Sequence, residues 1–286
     1  MKRLILSVML IHLVSTWVVA ESSVWKVQSG KSVAYIGGTC HILRETDYPL
    51  PAEFDRAYKA SDTLVFETDI AKFKEPATIA KMMARVTYPD GSTVDKHLSA
   101  KAYAELSTYC QSNSIPLAMF QKFRPAMLMV TLTMMELAKL GATEEGVDQF
   151  YQKKATNDKK PVEGLETVDQ QINYVATMAE GNEDEFVTYS LADMATLRQD
   201  FRALAKSWRK GDVAKLDELM VAELKTRMPK LYKSLVTDRN GNWLPLIEDY
   251  LKTPQIEFIL VGVAHLVGPD GVIETLRKKG YKVEKL

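Results

Sequence analysis

Val33-Ala34-Tyr35-Ile36-Gly37-Gly38-Thr39-Cys40-His41, near the start of the chain, has a counterpart near its end: Phe258-Ile259-Leu260-Val261-Gly262-Val263-Ala264-His265. Each is a short, β-rich apolar run that passes into Gly-x-x-His, and such runs read as buried strands. Each histidine therefore follows the carboxyl end of a strand, and Gly38 and Gly262 permit a sharp turn or a close approach by another group. A third run, Thr63-Leu64-Val65-Phe66-Glu67-Thr68-Asp69, delivers a carboxylate in the same way. In open α/β sheets, ligands bind outside the carboxyl ends of the strands. If these three strands are parallel neighbours, His41, Glu67 and His265 meet there. Two imidazoles and a carboxylate with an open position suit a divalent metal of the hydrolytic kind.

Working outward, Val24 to Gly30 reads as a strand that turns at Gly30-Lys31 into the first of these runs. Beyond His41, a loop carrying Pro49 and Pro51 leads to a helix, Ala52 to Ala60, and then to the Glu67 strand. That is a βαβ unit, which favours parallel pairing. From about Ile70 to Met228 the apolar spacing is helical, with segments expected at 78–86, 99–111, 125–140, 166–180, 185–210 and 213–228. A strand at 257–263, a helix at 272–279 and a last strand at 281–283 make a second βαβ unit. The expected fold is α/β: a mostly parallel central sheet (about 24–70 and 235–286) with a large helical insertion (about 71–234) in one domain, 21–286. Met127, Met129, Met134 and Met135 sit in the helical part, where methionine most commonly fills core gaps.

The first twenty residues stand apart. Lys2 and Arg3 precede an apolar run that ends in Val18-Val19-Ala20, which reads as a cleaved signal peptide and hence a periplasmic or secreted protein. The competing reading is a membrane anchor over residues 4–20, although His12, Ser15 and Thr16 interrupt it. Lys plus Arg and Asp plus Glu each number 37, so no basic field argues for nucleic acid. Export permits disulfides, and there are two cysteines, Cys40 and Cys110. Cys40 is open to four readings: a metal ligand, a nucleophile, half of a bridge, or a small buried residue.

The two Gly-x-x-His motifs and the strand-end glutamate together resemble the TraB/GumN family, whose animal relatives include the Tiki metalloproteases. The likeness covers most of the chain after the first segment. Gly146-Val147-Asp148 resembles the family's Gly-x-Asp segment, and Pro161 to Glu166 a strand-to-helix junction bearing a glutamate. Glu166 either faces the site or complements a helix dipole, and Asp148 reads more simply as a solvated or capping residue. Arg239-Asn240-Gly241 reads by itself as a turn with an exposed arginine. In the family an Arg-Asn pair occupies this place, which would let Arg239 stabilise an oxyanion and Asn240 donate a hydrogen bond. His97 has no such support and reads as solvated.

The resemblance implies a metal-dependent, peptidase-like hydrolase acting on a peptide or protein. His41, His265 and Glu67 would hold manganese, cobalt or zinc, with Glu67 or Glu166 as base and Gly38, Cys40 and Gly262 lining the site. Two alternatives stay open. One is a binding protein that sequesters a peptide signal or haem. The other is metal-free hydrolysis, as in the related erythromycin esterases, where a histidine activates water with help from carboxylates.

Overall fold

A computed structural model describes residues 22–286; the expected signal segment lies outside the described residues. The strands are β1 (Val24–Ser29), β2 (Ser32–Thr39), β3 (Leu43–Arg44), β4 (Thr63–Phe66), β5 (Ala142–Thr143), β6 (Val162–Gly164), β7 (Glu257–Gly262) and β8 (Lys282–Lys285). Six of them form one sheet in the order β6-β4-β7-β2-β1-β8, while β3 and β5 make a separate two-residue ladder. Strands β6, β4, β7 and β2 run parallel, and β1 lies antiparallel to both β2 and β8. The fold is thus α/β with a mostly parallel central sheet.

Every residue of β7 is buried, as a central strand covered on both faces requires. It slots between β2 and β4, so the first βαβ unit encloses the parallel strand that arrives last in sequence. Thr39 stands opposite Gly262 and Phe66 opposite Leu260. The three strands therefore end almost flush, and the residues after them share one rim. The closing crossover differs from a simple βαβ unit. From β7 the chain passes β2 and β1 and pairs β8 antiparallel to β1.

The helices are α1 (Ala52–Ala60), α2 (Pro76–Val86), α3 (Ala100–Ser112), α4 (Pro125–Lys139), α5 (Val147–Asp158), α6 (Val168–Thr177) and α7 (Glu183–Lys210). Short pieces follow: α8 (Val213–Asp217), α9 (Glu223–Arg227) and α10 (Pro229–Tyr232), with π-helical turns at Glu218–Ala222 and Lys233–Thr237. Then come α11 (Asp238–Tyr250) and α12 (Val272–Lys278). One face of the sheet packs Phe54, Tyr151 and Trp208 against Phe258 and Leu260. The other packs Trp243, Ile247 and Leu276 against Val65, Ile259 and Val261. A third apolar cluster joins α3, α4 and α7 and contains Met129 and Cys110.

Within the helical stretch, β6 extends the sheet beside β4, as the resemblance of Pro161–Glu166 to a strand-to-helix junction implied, while the short strand β5 was not expected. A further expectation is corrected. Residues 238–250 are not a turn with an exposed arginine but a helix, in which Arg239 and Asn240 are buried. The Asn-Gly turn signal is a local preference, and the tertiary hydrogen bonds of Asn240 described below override it.

Candidate active site

His41 lies two residues past β2, on a rim that α5 approaches from the side. Gly146, just before α5, packs directly on the backbone of His41; a Cβ there would lie 2.2 Å from its carbonyl carbon and oxygen. Val147 N–H donates to the Cys40 carbonyl at 3.0 Å. This contact brings Asp148, in the first turn of α5, to the histidine. Its Oδ2 is 2.8 Å from His41 Nδ1 and its Oδ1 accepts from the Thr39 hydroxyl at 2.9 Å. Asp148 is buried rather than solvated. The arrangement assigns the Nδ1–H tautomer to neutral His41 and turns the Nε2 lone pair outward. Asp148 chiefly, against the opposing effect of burial, pushes the His41 pKa up to about 9.

Glu67 follows β4 and is buried. Its Oε1 accepts from Gly262 N–H at 2.7 Å, and its Oε2 accepts from Arg239 and from Gln171 Nε2 at 3.0 Å. Burial alone would raise the Glu67 carboxyl, but Arg239 above all holds it well below the usual carboxylate range. Oε1 lies 4.0 Å from His41 Nε2 and 4.0 Å from His265 Nε2. The absent side chain of Gly262 keeps this space clear, since a Cβ there would sit 3.2 Å from both Glu67 Oε1 and His41 Nε2.

His265 follows β7 and is sealed in. Its Nδ1 donates to Asn240 Oδ1 at 2.8 Å, while both N–H groups of that amide go to the carbonyls of His265 and Asp270 at 3.1 Å. Its Nε2 therefore accepts from Arg239 Nη1 at 3.1 Å. Burial, with Arg239 and His41 adding to it, lowers the His265 pKa to about 3, so the ring stays neutral.

Arg239 is the hub behind the rim. It contacts Glu166 Oε2, Glu166 Oε1, Glu67 Oε2, His265 Nε2 and the Leu235 carbonyl. A guanidinium has five N–H donors, so these five contacts use them all. The guanidinium also lies over the rings of Tyr174 and Trp243, 5.1 and 4.7 Å from their centroids. Glu166 precedes the helix dipole position: α6 starts at Val168 and is capped by Thr167. Its carboxylate is satisfied by Arg239, by Gln171 Nε2 at 2.7 Å and by Trp243 Nε1 at 3.1 Å. Glu166, Arg239 and Asn240 thus meet at the site and hold its parts, with no donor to spare for a substrate oxyanion.

Four residues had no clear signal in the sequence. Thr39 and Gln171 are ordinary polar residues on regular elements, and nothing local marks the aromatics Tyr174 and Trp243. Only recognition of α11 would have put Trp243 on the face of Arg239, one helical turn away. Gly38 faces Val263 and Leu266 in the packing beneath the rim, so it does not line the cavity. Cys40 and Cys110 are free and buried. Burial, reinforced by Asp148 and Asp47, drives the Cys40 thiol far above its ordinary pKa, which leaves it a packed thiol and not a thiolate. His97 lies exposed elsewhere, stacked on Tyr88 with 3.8 Å between ring centroids.

The spacing of the donor set departs from that of a divalent metal centre. Ligand atoms on a tetrahedral ion stand about 3.4 Å apart, whereas both imidazole nitrogens are 4.0 Å from Glu67 Oε1. More important, the His265 Nε2 lone pair is already committed to a guanidinium. Among the described residues no group of three or more His, Cys, Asp or Glu can hold a metal ion as placed. The residues do not fit a three-ligand centre in this arrangement.

The model of the TraB/PrgY/gumN family matches residues 23–285. The chain belongs to that family. No curated protein and no solved structure matches it. Within this TraB/PrgY/gumN protein, the described residues contain no helix long and apolar enough to cross a membrane. His41 with Asp148 on one side, and His265, Arg239 and Asn240 on the other, all meet around Glu67.

Proposed function

We propose that this protein is an exported hydrolase that activates water between His41 and Glu67 and acts on a peptide or protein. The observation that supports this most is the 2.8 Å contact of His41 Nδ1 with Asp148, which leaves Nε2 facing Glu67 Oε1 across the gap at Gly262. Two hydrogen bonds of about 2.8 Å meeting near a right angle span such a gap. A water held there gives one proton to Nε2 as its oxygen attacks the acyl carbon. Asp148 stabilises the imidazolium that results, and His41 returns the proton to the leaving group. Glu67 orients the water through the second hydrogen. Arg239 and Asn240 act as positioning residues, fixing Glu67 and neutral His265.

A metal-dependent hydrolase is the second reading, favoured by the equal spacing of the two imidazoles from Glu67 Oε1 and the clear space beside Gly262. It requires Arg239 to withdraw from His265 Nε2. The experiment is turnover of peptide and ester libraries by protein stripped with chelator, beside His41→Ala. Turnover that survives chelation and disappears in His41→Ala supports the water-activating dyad. Turnover that chelation abolishes and manganese, cobalt or zinc restores overturns it in favour of the metal. Retention of a peptide without cleavage favours sequestration.

A further inference from the structure

The cavity in front of His41 has a volume of about 220 Å³ and an uneven charge. Glu67, Asp148 and Glu144 line it, with Thr68, Gln149 and Gln171, and no lysine or arginine does. The buried carboxylates are partly offset: Asp148 faces His41, and Glu67 shares the single charge of Arg239 with Glu166. Glu144 is different. It is exposed at the mouth and has no ion-pair partner among the described residues, although its neighbour Glu145 is paired with Lys153 at 2.7 Å. A second observation points to a ligand independently of charge. Thr68 lines the same cavity, is only 2% exposed, and its hydroxyl has no hydrogen-bond partner among the described residues. An unpaired buried hydroxyl is costly; turned about χ1 into the cavity, it would donate to a carbonyl oxygen brought in by a ligand.

We propose that Glu144 is a specificity-determining residue: it selects substrates that carry a positively charged nitrogen next to the acyl group held by Thr68. The word substrate rests on the hydrolase reading above, whereas the recognition does not require turnover. The cationic nitrogen has two possible sources in a peptide, a free α-amino terminus or a basic side chain. Both present the same charge to a carboxylate at the rim, where it also raises the rate of encounter.

The test is a binding titration of the full chain with three small amides. Norleucinamide carries the cation at its α-amine, N-acetyl-lysinamide carries it on the side chain, and N-acetyl-norleucinamide is neutral. One cationic amide should bind about fivefold tighter than the neutral one, the scale of an exposed ion pair, and whichever it is names the source. Glu144→Gln should erase that preference and Glu144→Lys should reverse it. Thr68→Val should weaken all three amides alike and leave the preference intact. His41→Ala should keep the preference even though the hydrolase reading predicts that it abolishes turnover, so the two ideas fail separately. Equal affinity for all three amides, no binding at millimolar concentration, or a preference that persists in Glu144→Gln would overturn the proposal.

Discussion

His41 and Asp148 are separated by 107 residues in sequence and by 2.8 Å in space. The contact has a direct consequence for the pH dependence of any reaction that uses His41 as a base. Because Asp148 chiefly raises the His41 pKa to about 9, the basic form accumulates only as pH climbs through that value. In the proposed mechanism kcat/KM therefore rises with pH toward about 9. Asp148→Asn should move the rising limb toward lower pH and lower the plateau by about 10²–10⁴-fold, the range for a disabled general base. A limb unmoved by Asp148→Asn would refute the coupling. Stability follows the same linkage. The folded pKa is raised above its ordinary value of 6.5, so this stabilisation is complete below about 6.5 and lost as pH rises through about 9.

Arg239 carries the compensation for two buried carboxylates, Glu67 and Glu166. Arg239→Met removes the only guanidinium in the network and leaves both acids without a counter-charge. Breaking a buried pair from one side costs about 3–5 kcal/mol, and urea unfolding monitored by circular dichroism would read it. Arg239→Lys keeps the charge but loses the planar five-donor fork, so it should recover part of the stability. A loss below about 1 kcal/mol, the usual worth of a surface pair, would show that the network is more solvated than its geometry indicates.

Two glycines should respond differently to the same change. In Gly146→Ala, the added methyl meets the His41 backbone at 2.2 Å, and backbone cannot move aside cheaply. That variant should be destabilised by about 2 kcal/mol or more, the upper range for overpacking, and should lose the His41–Asp148 contact. In Gly262→Ala the methyl meets side chains and no backbone, Glu67 Oε1 and His41 Nε2 at 3.2 Å and His265 Cδ2 at 3.7 Å. Its melting temperature should barely change while turnover falls at least tenfold, because the methyl fills the gap where water is held. Undiminished turnover in Gly262→Ala would place the reacting water elsewhere.

The parallel strands and their shared rim were legible because β2, β4 and β7 carry their signal locally, in apolar runs that end at functional residues. The anchoring network was not legible to the same degree. Asp148 looks like a helix cap until Gly146 is known to lie flush against His41, and nothing near Asp148 in sequence indicates that. Arg239 and Asn240 sit beside Gly241, so a turn wins on local preference. The helix is favoured because Arg239 and Asn240 find buried partners in the segments just after β4, β6 and β7. Gln171 is invisible for the same reason: its role depends on where two other elements deliver their carboxylates.

Glu257 opens β7 at the opposite end from the site, and it is 3% exposed with no hydrogen-bond partner for Oε2 among the described residues. Burial above all, with Glu163 and Asp62 adding to it, pushes its pKa up from 4.5 to about 7. The sign is opposite to that of Glu67. Between pH 4.5 and 7 the unfolded chain releases this proton more readily than the folded one, so stability declines across that window and then levels off. Glu257→Gln removes the ionisation while keeping shape and polarity. It should flatten the decline and stabilise the protein at pH 8 by up to about 3 kcal/mol, since each pKa unit is about 1.4 kcal/mol. At pH 4 the two proteins should have nearly equal stability. Chemical denaturation at pH 4, 6 and 8 compares them directly. A wild-type stability that rises from pH 6 to pH 8 relative to Glu257→Gln would mean that Glu257 is ionised and paired in the folded protein.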